Sequence, residues 1–176
     1  MANFFSLYNC CLLIFHLQLL FLSLRTNAAA VDDICNKTKD PPLCLKGFAT
    51  DVDGRSATAD MKTLATVAID VALAEAGRVS LDIEDHLVEE KDRKMFNIYL
   101  QCTTFYFHVT DSMGVMMDDW DQSNWADYKK QAIGIHGDVD GVEALFNNSS
   151  PFAAGDRLVG IFADAMVLIA DALMSP

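Results

Sequence analysis

The sequence predicts an all-α fold: an up-and-down four-helix bundle behind a small N-terminal unit. Three observations predict it. Apolar residues recur at steps of three and four in four successive stretches. The connections between those stretches are short, which suits antiparallel neighbours. No stretch reads as a strand, because β-branched residues are scattered and turn dipeptides are few.

The first thirty residues stand apart. "FFSLYNCCLLIFHLQLLFLSL" is nearly uncharged and ends in "TNAAA", where Ala28 and Ala30 fit a small-x-small cleavage site. That pattern predicts a secretory signal peptide over residues 1–30. The apolar run is close to the length that spans a bilayer, so a retained anchor is the competing reading. The abrupt change from "AAA" to "VDD" favours cleavage and a chain that leaves the membrane. Residues 31–176 then form one domain, with residues 31–55 as the small N-terminal unit and 56–176 as the bundle.

The first stripe runs Met61, Ala65, Ala68, Ala72, Ala76, Val79, Ile83, Leu87. Its many alanines allow a neighbouring helix to approach closely. Ser56, Thr58 and Asp60 compete for the N-cap, and "EEKDRK" marks a solvated break or an exposed first turn. The second stripe is bulky: Met95, Tyr99, Cys102, Tyr106, Val109, Met113, Met116, ended by "DDWDQSN". The third is Trp125, Tyr128, Ala132, Ile135, Val139, Val142, Phe146. Gly134, Gly137 and Gly141 weaken it by roughly 1 kcal/mol each relative to Ala, which predicts a break near "IHGDVDG". The fourth helix is expected to start with Ser150 as cap and Pro151 at the first helical position. Its stripe is Leu158, Ile161, Ala165, Leu168, Ala172.

The chain has 13 basic and 25 acidic residues, net −12. Removing the leader takes only Arg25, leaving twelve against 25, net −13. So acidic a surface argues against nucleic acid and against anionic lipid. Cys10 and Cys11 leave with the leader, so Cys35, Cys44 and Cys102 remain. An odd count means one bridge and one leftover thiol, or a link to a second chain. Three sequons are present: Asn36-Lys37-Thr38, Asn147-Asn148-Ser149 and Asn148-Ser149-Ser150. Pro151 directly after the last disfavours Asn148.

Enzyme signals are missing. There is no Gly-rich phosphate loop and no nucleophile elbow. His86 with Glu89 and Glu90 offers one imidazole where a zinc site wants several convergent ligands. "DVDGRSATADMK" places its glycine too early for a calcium loop and lacks the closing Glu, and "DDWDQS" lacks the central glycine. His108 and His136 are lone imidazoles, and Asp118-Asp119 is a surface pair. Neither a cofactor nor a metal is expected, and catalysis is not.

The N-terminal unit adds a specific signal. "ICNKTKDPPLCLKGF", with two cysteines around eight mostly polar or turn-forming residues, resembles the N-terminal hairpin of the plant invertase/pectin methylesterase inhibitor family. "YLQCTTFY" is similar to that family's second-helix signature, through Cys102 and Tyr106. "DYKKQAIGI" resembles the segment leading to its fourth cysteine, and "FADAMVLIADAL" its small-residue closing helix. The overall flavour is similar to the invertase inhibitors, a branch that includes pollen proteins.

The resemblance implies a four-helix bundle preceded by a helical hairpin that a Cys35–Cys44 disulfide ties off. It implies a secreted inhibitor that blocks the active-site cleft of a plant invertase, or in the alternative of a pectin methylesterase. A non-inhibitory secreted bundle is the third reading. The apoplast is the expected location, with the vacuole still open.

The sequence departs from the family at two places. Val142 stands where the fourth cysteine is expected, removing a crosslink worth about 3–4 kcal/mol. Cys102 is then either a buried small hydrophobe or the link in a homodimer. The Pro-Lys-Phe triplet associated with plugging invertase is matched by Ser123, Asn124 and Trp125, so only the aromatic survives. Trp125 is a candidate anchor for a partner and equally the first member of the third core stripe.

Overall fold

The computed structural model describes residues 30–175. The leader assigned to residues 1–30 lies outside that range except for Ala30. Helical backbone over residues 30–35 (α1) is followed by α2, Pro41–Phe48. A 3₁₀ turn, Arg55–Thr58, leads into four long helices: α3 (Met61–Glu89), α4 (Arg93–Asp121), α5 (Trp125–Leu145) and α6 (Ala153–Met174). Each long helix packs on two others, α3 and α5 both lying against α4 and α6. That is the expected up-and-down bundle. Among the described residues there is no strand, and no helix is long and apolar enough to cross a membrane.

Helix starts follow local chemistry. Asp60 wins the competition for the α3 cap, its carboxylate accepting from Thr63 N–H at 2.7 Å. Asp92 caps α4 by accepting from Lys94 and Met95 N–H. Asp40 caps α2, with Pro41 and Pro42 in the first helical turn. The fourth long helix corrects the expectation. Ser150 and Pro151 do not begin α6, which starts at Ala153. Ser150 Oγ accepts from Phe152 N–H at 3.0 Å and donates to buried Asp156, so residues 151–152 form a turn before the helix.

The predicted break in the third helix is also absent: α5 is continuous through Gly134, Gly137 and Gly141. Tyr128, Ala132, Ile135, Val139 and Val142 on the opposite side are all buried. Several buried apolar side chains, at roughly 1.5–3 kcal/mol for the larger ones, outweigh three glycine penalties of roughly 1 kcal/mol.

Small residues set the helix spacing. Ala65, Ala68, Ala72 and Ala76 of α3 are fully buried. On α6, a Cβ at Gly155 would lie 2.3 Å from Val79 Cγ2, so only glycine permits that approach. The bulky α4 stripe fills the rest of the core, with Tyr99, Cys102, Tyr106, Val109, Met113 and Met116 all buried.

The hairpin lies on the bundle over α6. Cys35 and Cys44 are joined, with Cα atoms 5.4 Å apart, and Ile34 and Phe48 are buried beside them. Phe48 meets Phe162 with ring centroids 4.9 Å apart. Gly47 faces the same ring, where a Cβ would sit 2.3 Å from Phe162 Cε2. Polar ties hold the hairpin's flanks. Arg157 pairs with Asp40 at 2.5 Å, and Lys39 Nζ lies 3.0 Å from His136 Nε2. Arg55 bridges Asp51 and Asp70.

Candidate functional site

The outer surface offers two candidate contact regions, and the interior one unusual polar group. The first region is the α4–α5 turn. Ser123 is exposed with φ 56°, a left-handed conformation that tightens the turn. Asn124 donates from its amide to Asp127 at 2.7 Å and to Asp119 at 3.3 Å. Trp125 is half-buried, packs against the core and meets Tyr128 edge-on at 5.8 Å. The structure therefore brings the three residues together at one end of the bundle, with only Ser123 fully displayed. Asp119 beneath them is buried, and its Oδ2 has no hydrogen-bond partner. Burial raises its pKa, and the charges of Asp127 and Asp118 add to the shift.

The second region was not singled out by the sequence reading. On α4, Phe96, Leu100, Phe107 and Val115 are exposed, Phe107 at 65 %. They form a second apolar stripe, offset from the buried one that begins at Met95. The signal was legible: a helix whose apolar residues exceed one stripe carries either a second interface or a surplus.

The interior group is Asp156, in the first turn of α6 and 1 % exposed. Tyr106 donates its hydroxyl to Oδ1 at 2.5 Å, and Ser150 donates to Oδ2 at 3.1 Å. Burial pushes this carboxyl up to about 7; the Tyr106 and Ser150 hydrogen bonds oppose the rise, and neighbouring Glu143 adds to it. Glu143 and Asp156 also line a cleft of about 410 Å³ between the hairpin turn, α5 and α6. His136 stands at its rim, 3.3 Å from both Asp140 and Asp164. Among the described residues no group of three or more His, Cys, Asp or Glu is arranged to hold a metal ion.

The other expected residues are placed as follows. Cys102 is fully buried, and burial pushes its thiol up to about 12, with the Asp156 charge second. Val142 is equally buried on the adjoining helix. A Cys102-linked homodimer would require this part of the core to open. His86 is exposed and rests on Tyr99 and Phe152, with ring centroids 5.1 and 5.3 Å away. His108 lies 3.8 Å from Asp138. The segment weighed as a calcium loop closes on itself instead, Asp51 accepting from Ser56 N–H and from Arg55. Asn36, Asn147 and Asn148 are all exposed.

Comparison with known proteins agrees with this architecture. The sequence profile described as plant invertase/pectin methylesterase inhibitor matches residues 29–145. A curated protein of Actinidia deliciosa named pectinesterase inhibitor is 36 % identical over 92 residues. That alignment covers 52 % of this chain and 49 % of the relative, so the chain spans about half the length of the curated relative it matches. Among solved structures, a mutant form of a pectin methylesterase inhibitor from Arabidopsis is similar at a TM-score of 0.70. The identity is 16 %, over 81 % of this chain and 95 % of that one. A second pectin methylesterase inhibitor, from Arabidopsis thaliana, is similar at 0.60 and 14 % identity, over 85 % and 99 %. At these identities the two structures speak to the fold alone.

Proposed function

The chain belongs to the plant invertase/pectin methylesterase inhibitor family, and from that premise we propose that it is an exported protein inhibitor of a pectin methylesterase. The observation that carries this reading is the curated relative of Actinidia deliciosa, named a pectinesterase inhibitor, at 36 % identity. The invertase target, favoured by the overall flavour of the sequence, has no comparable support. At the matching turn Ser123 and Asn124 stand in place of Pro and Lys.

Inhibition on this reading is stoichiometric and steric. A rigid helical face covers the enzyme's cleft, and no group of the inhibitor reacts. The bundle suits that task, because its core is close-packed and little order remains to be lost on binding. Exposed Phe96, Leu100, Phe107 and Val115 supply apolar contact area. Export to the apoplast places the protein where such a target would be met.

Titrating the exported chain against a plant pectin methylesterase, with methanol release as the readout, tests the proposal. Release should fall to a plateau near one inhibitor per enzyme. Undiminished release at a large excess of folded inhibitor would refute it, and a fall in sucrose hydrolysis by acid invertase instead would restore the other target.

A further inference from the structure

We infer that this chain carries N-linked glycans at Asn36 and Asn147, and none at Asn148. The inference rests on the exported reading above, since the acceptor chemistry requires passage through the secretory pathway.

In that chemistry an oligosaccharyl pyrophosphate lipid is the donor. The bond from the sugar's C1 to phosphate oxygen breaks, and a bond from C1 to the asparagine Nδ2 forms. The lipid pyrophosphate leaves with the electron pair, and the amide nitrogen gives up one proton. The fold then has to leave the new group, bulky and strongly hydrated, in water.

Asn36 meets that requirement. It is exposed in the turn joining α1 to α2, its backbone N–H bonded to Asp32 O at 2.9 Å. The buried residues on either side of it point the other way. Cys35 is fully buried in the disulfide, and Thr38 is 7 % exposed with its hydroxyl donating to Cys35 O at 2.8 Å. A glycan on Asn36 therefore disturbs neither.

Asn147 and Asn148 are exposed in the α5–α6 turn, both left-handed with φ 53° and 62°. Asparagine is among the residues that tolerate this conformation. Their hydroxyl partners differ. Ser149, which serves Asn147, is exposed. Ser150, which serves Asn148, precedes Pro151, whose ring confines residue 150 to extended backbone. That removes the turn conformations by which a hydroxyl folds back toward an upstream asparagine. In the folded chain Ser150 is as buried and as fully hydrogen-bonded as Thr38, so the proline, not burial of the hydroxyl, separates Asn148 from the other two sites. Two adjacent asparagines also cannot both hold an oligosaccharide of this bulk.

The two glycans would shield the hairpin turn and the α5–α6 end of the bundle. Ser123, Asn124 and Trp125 lie at the other end and stay uncovered.

The test is expression of the full chain in plant leaf cells. Glycans are released with peptide-N-glycosidase in heavy-oxygen water, and peptides are mapped by mass spectrometry. Asn36 and Asn147 should carry the isotopic mark, and Asn148 should not. N148Q should keep both glycans, and N36Q/N147Q should have none. An exported chain trimmed of its leader but unmarked at Asn36 and Asn147 would overturn the inference alone. A mark at Asn148 would overturn the choice between neighbours. An unmarked chain kept inside the cell with residues 1–30 attached would overturn it together with the exported reading.

Discussion

Replacing Asp156 by Asn should flatten the dependence of stability on pH. In the folded state the carboxyl is raised from 3.8 to about 7, chiefly by burial. Folding therefore tightens its grip on a proton. The contribution of this site to stability is then greatest below about pH 4, falls as pH rises from about 4 to about 7, and levels off above that. Three pH units at about 1.4 kcal/mol each set the cost of ionising this site with Glu143 at on the order of 4 kcal/mol. Asparagine cannot titrate, yet its carbonyl oxygen still accepts from Tyr106 and its amide can donate to Glu143; the Ser150 hydroxyl loses its acceptor, a cost that is the same at every pH. Urea unfolding followed by far-ultraviolet circular dichroism at pH 4.5, 6 and 8 reads the effect. Wild type should lose on the order of 2–4 kcal/mol across the series and D156N much less, so the variant overtakes it at pH 8. Asp119 and Asp138, also raised by burial, contribute with the same sign. Their effect cancels in the difference between the two proteins. Parallel pH curves for wild type and D156N would refute the reasoning.

Four further outcomes follow from the packing and from the exposed α4 ridge. Cys102 should resist alkylation by iodoacetamide in the native protein and react fully in urea, with only monomer on a non-reducing gel; a dimer band that thiols dissolve would contradict its burial. Gly47→Ala should cost about 1–3 kcal/mol by driving a methyl into the Phe162 ring, whereas Gly137→Ala, which meets open space in a helix interior, should gain up to about 1 kcal/mol; thermal melts compare them. Leu100→Ala with Phe107→Ala should weaken inhibition at least about tenfold, about 1.4 kcal/mol, without lowering the melting temperature. Trp125→Ala should lower the melting temperature as well, because its ring packs on Tyr128.

The core was legible wherever one helix face is apolar throughout. The α3 stripe from Ala65 to Ile83 and the α4 stripe from Tyr99 to Met116 are buried as their spacing predicts. Misreadings arose where distant partners outvote local preference. The glycines of α5 signal a break, but its buried stripe holds the helix straight through, and Gly141 lets the Phe105 ring approach where a Cβ would be 2.7 Å away. Ser150-Pro151 reads as a helix start, yet Asp156, six residues on, draws the Ser150 hydroxyl inward. An aspartate in the first turn of a helix looks like an ordinary solvated charge; only Tyr106, fifty residues earlier, reveals it as a core group. At the candidate surface, Ser123–Trp125 stood out by family analogy, while the α4 ridge was obscured because its apolar residues interleave with those of the core.

The position of the Cys35–Cys44 disulfide has a consequence for how the protein answers to reductants. Its two cysteines are nine positions apart and both sit in the hairpin, while α3 to α6 share no covalent link among the described residues. Thioredoxin-like donors or glutathione would therefore slacken the leading arm and leave the four-helix body standing. Among the described residues, loss of the disulfide is a local event, confined to the segment that lies over α6.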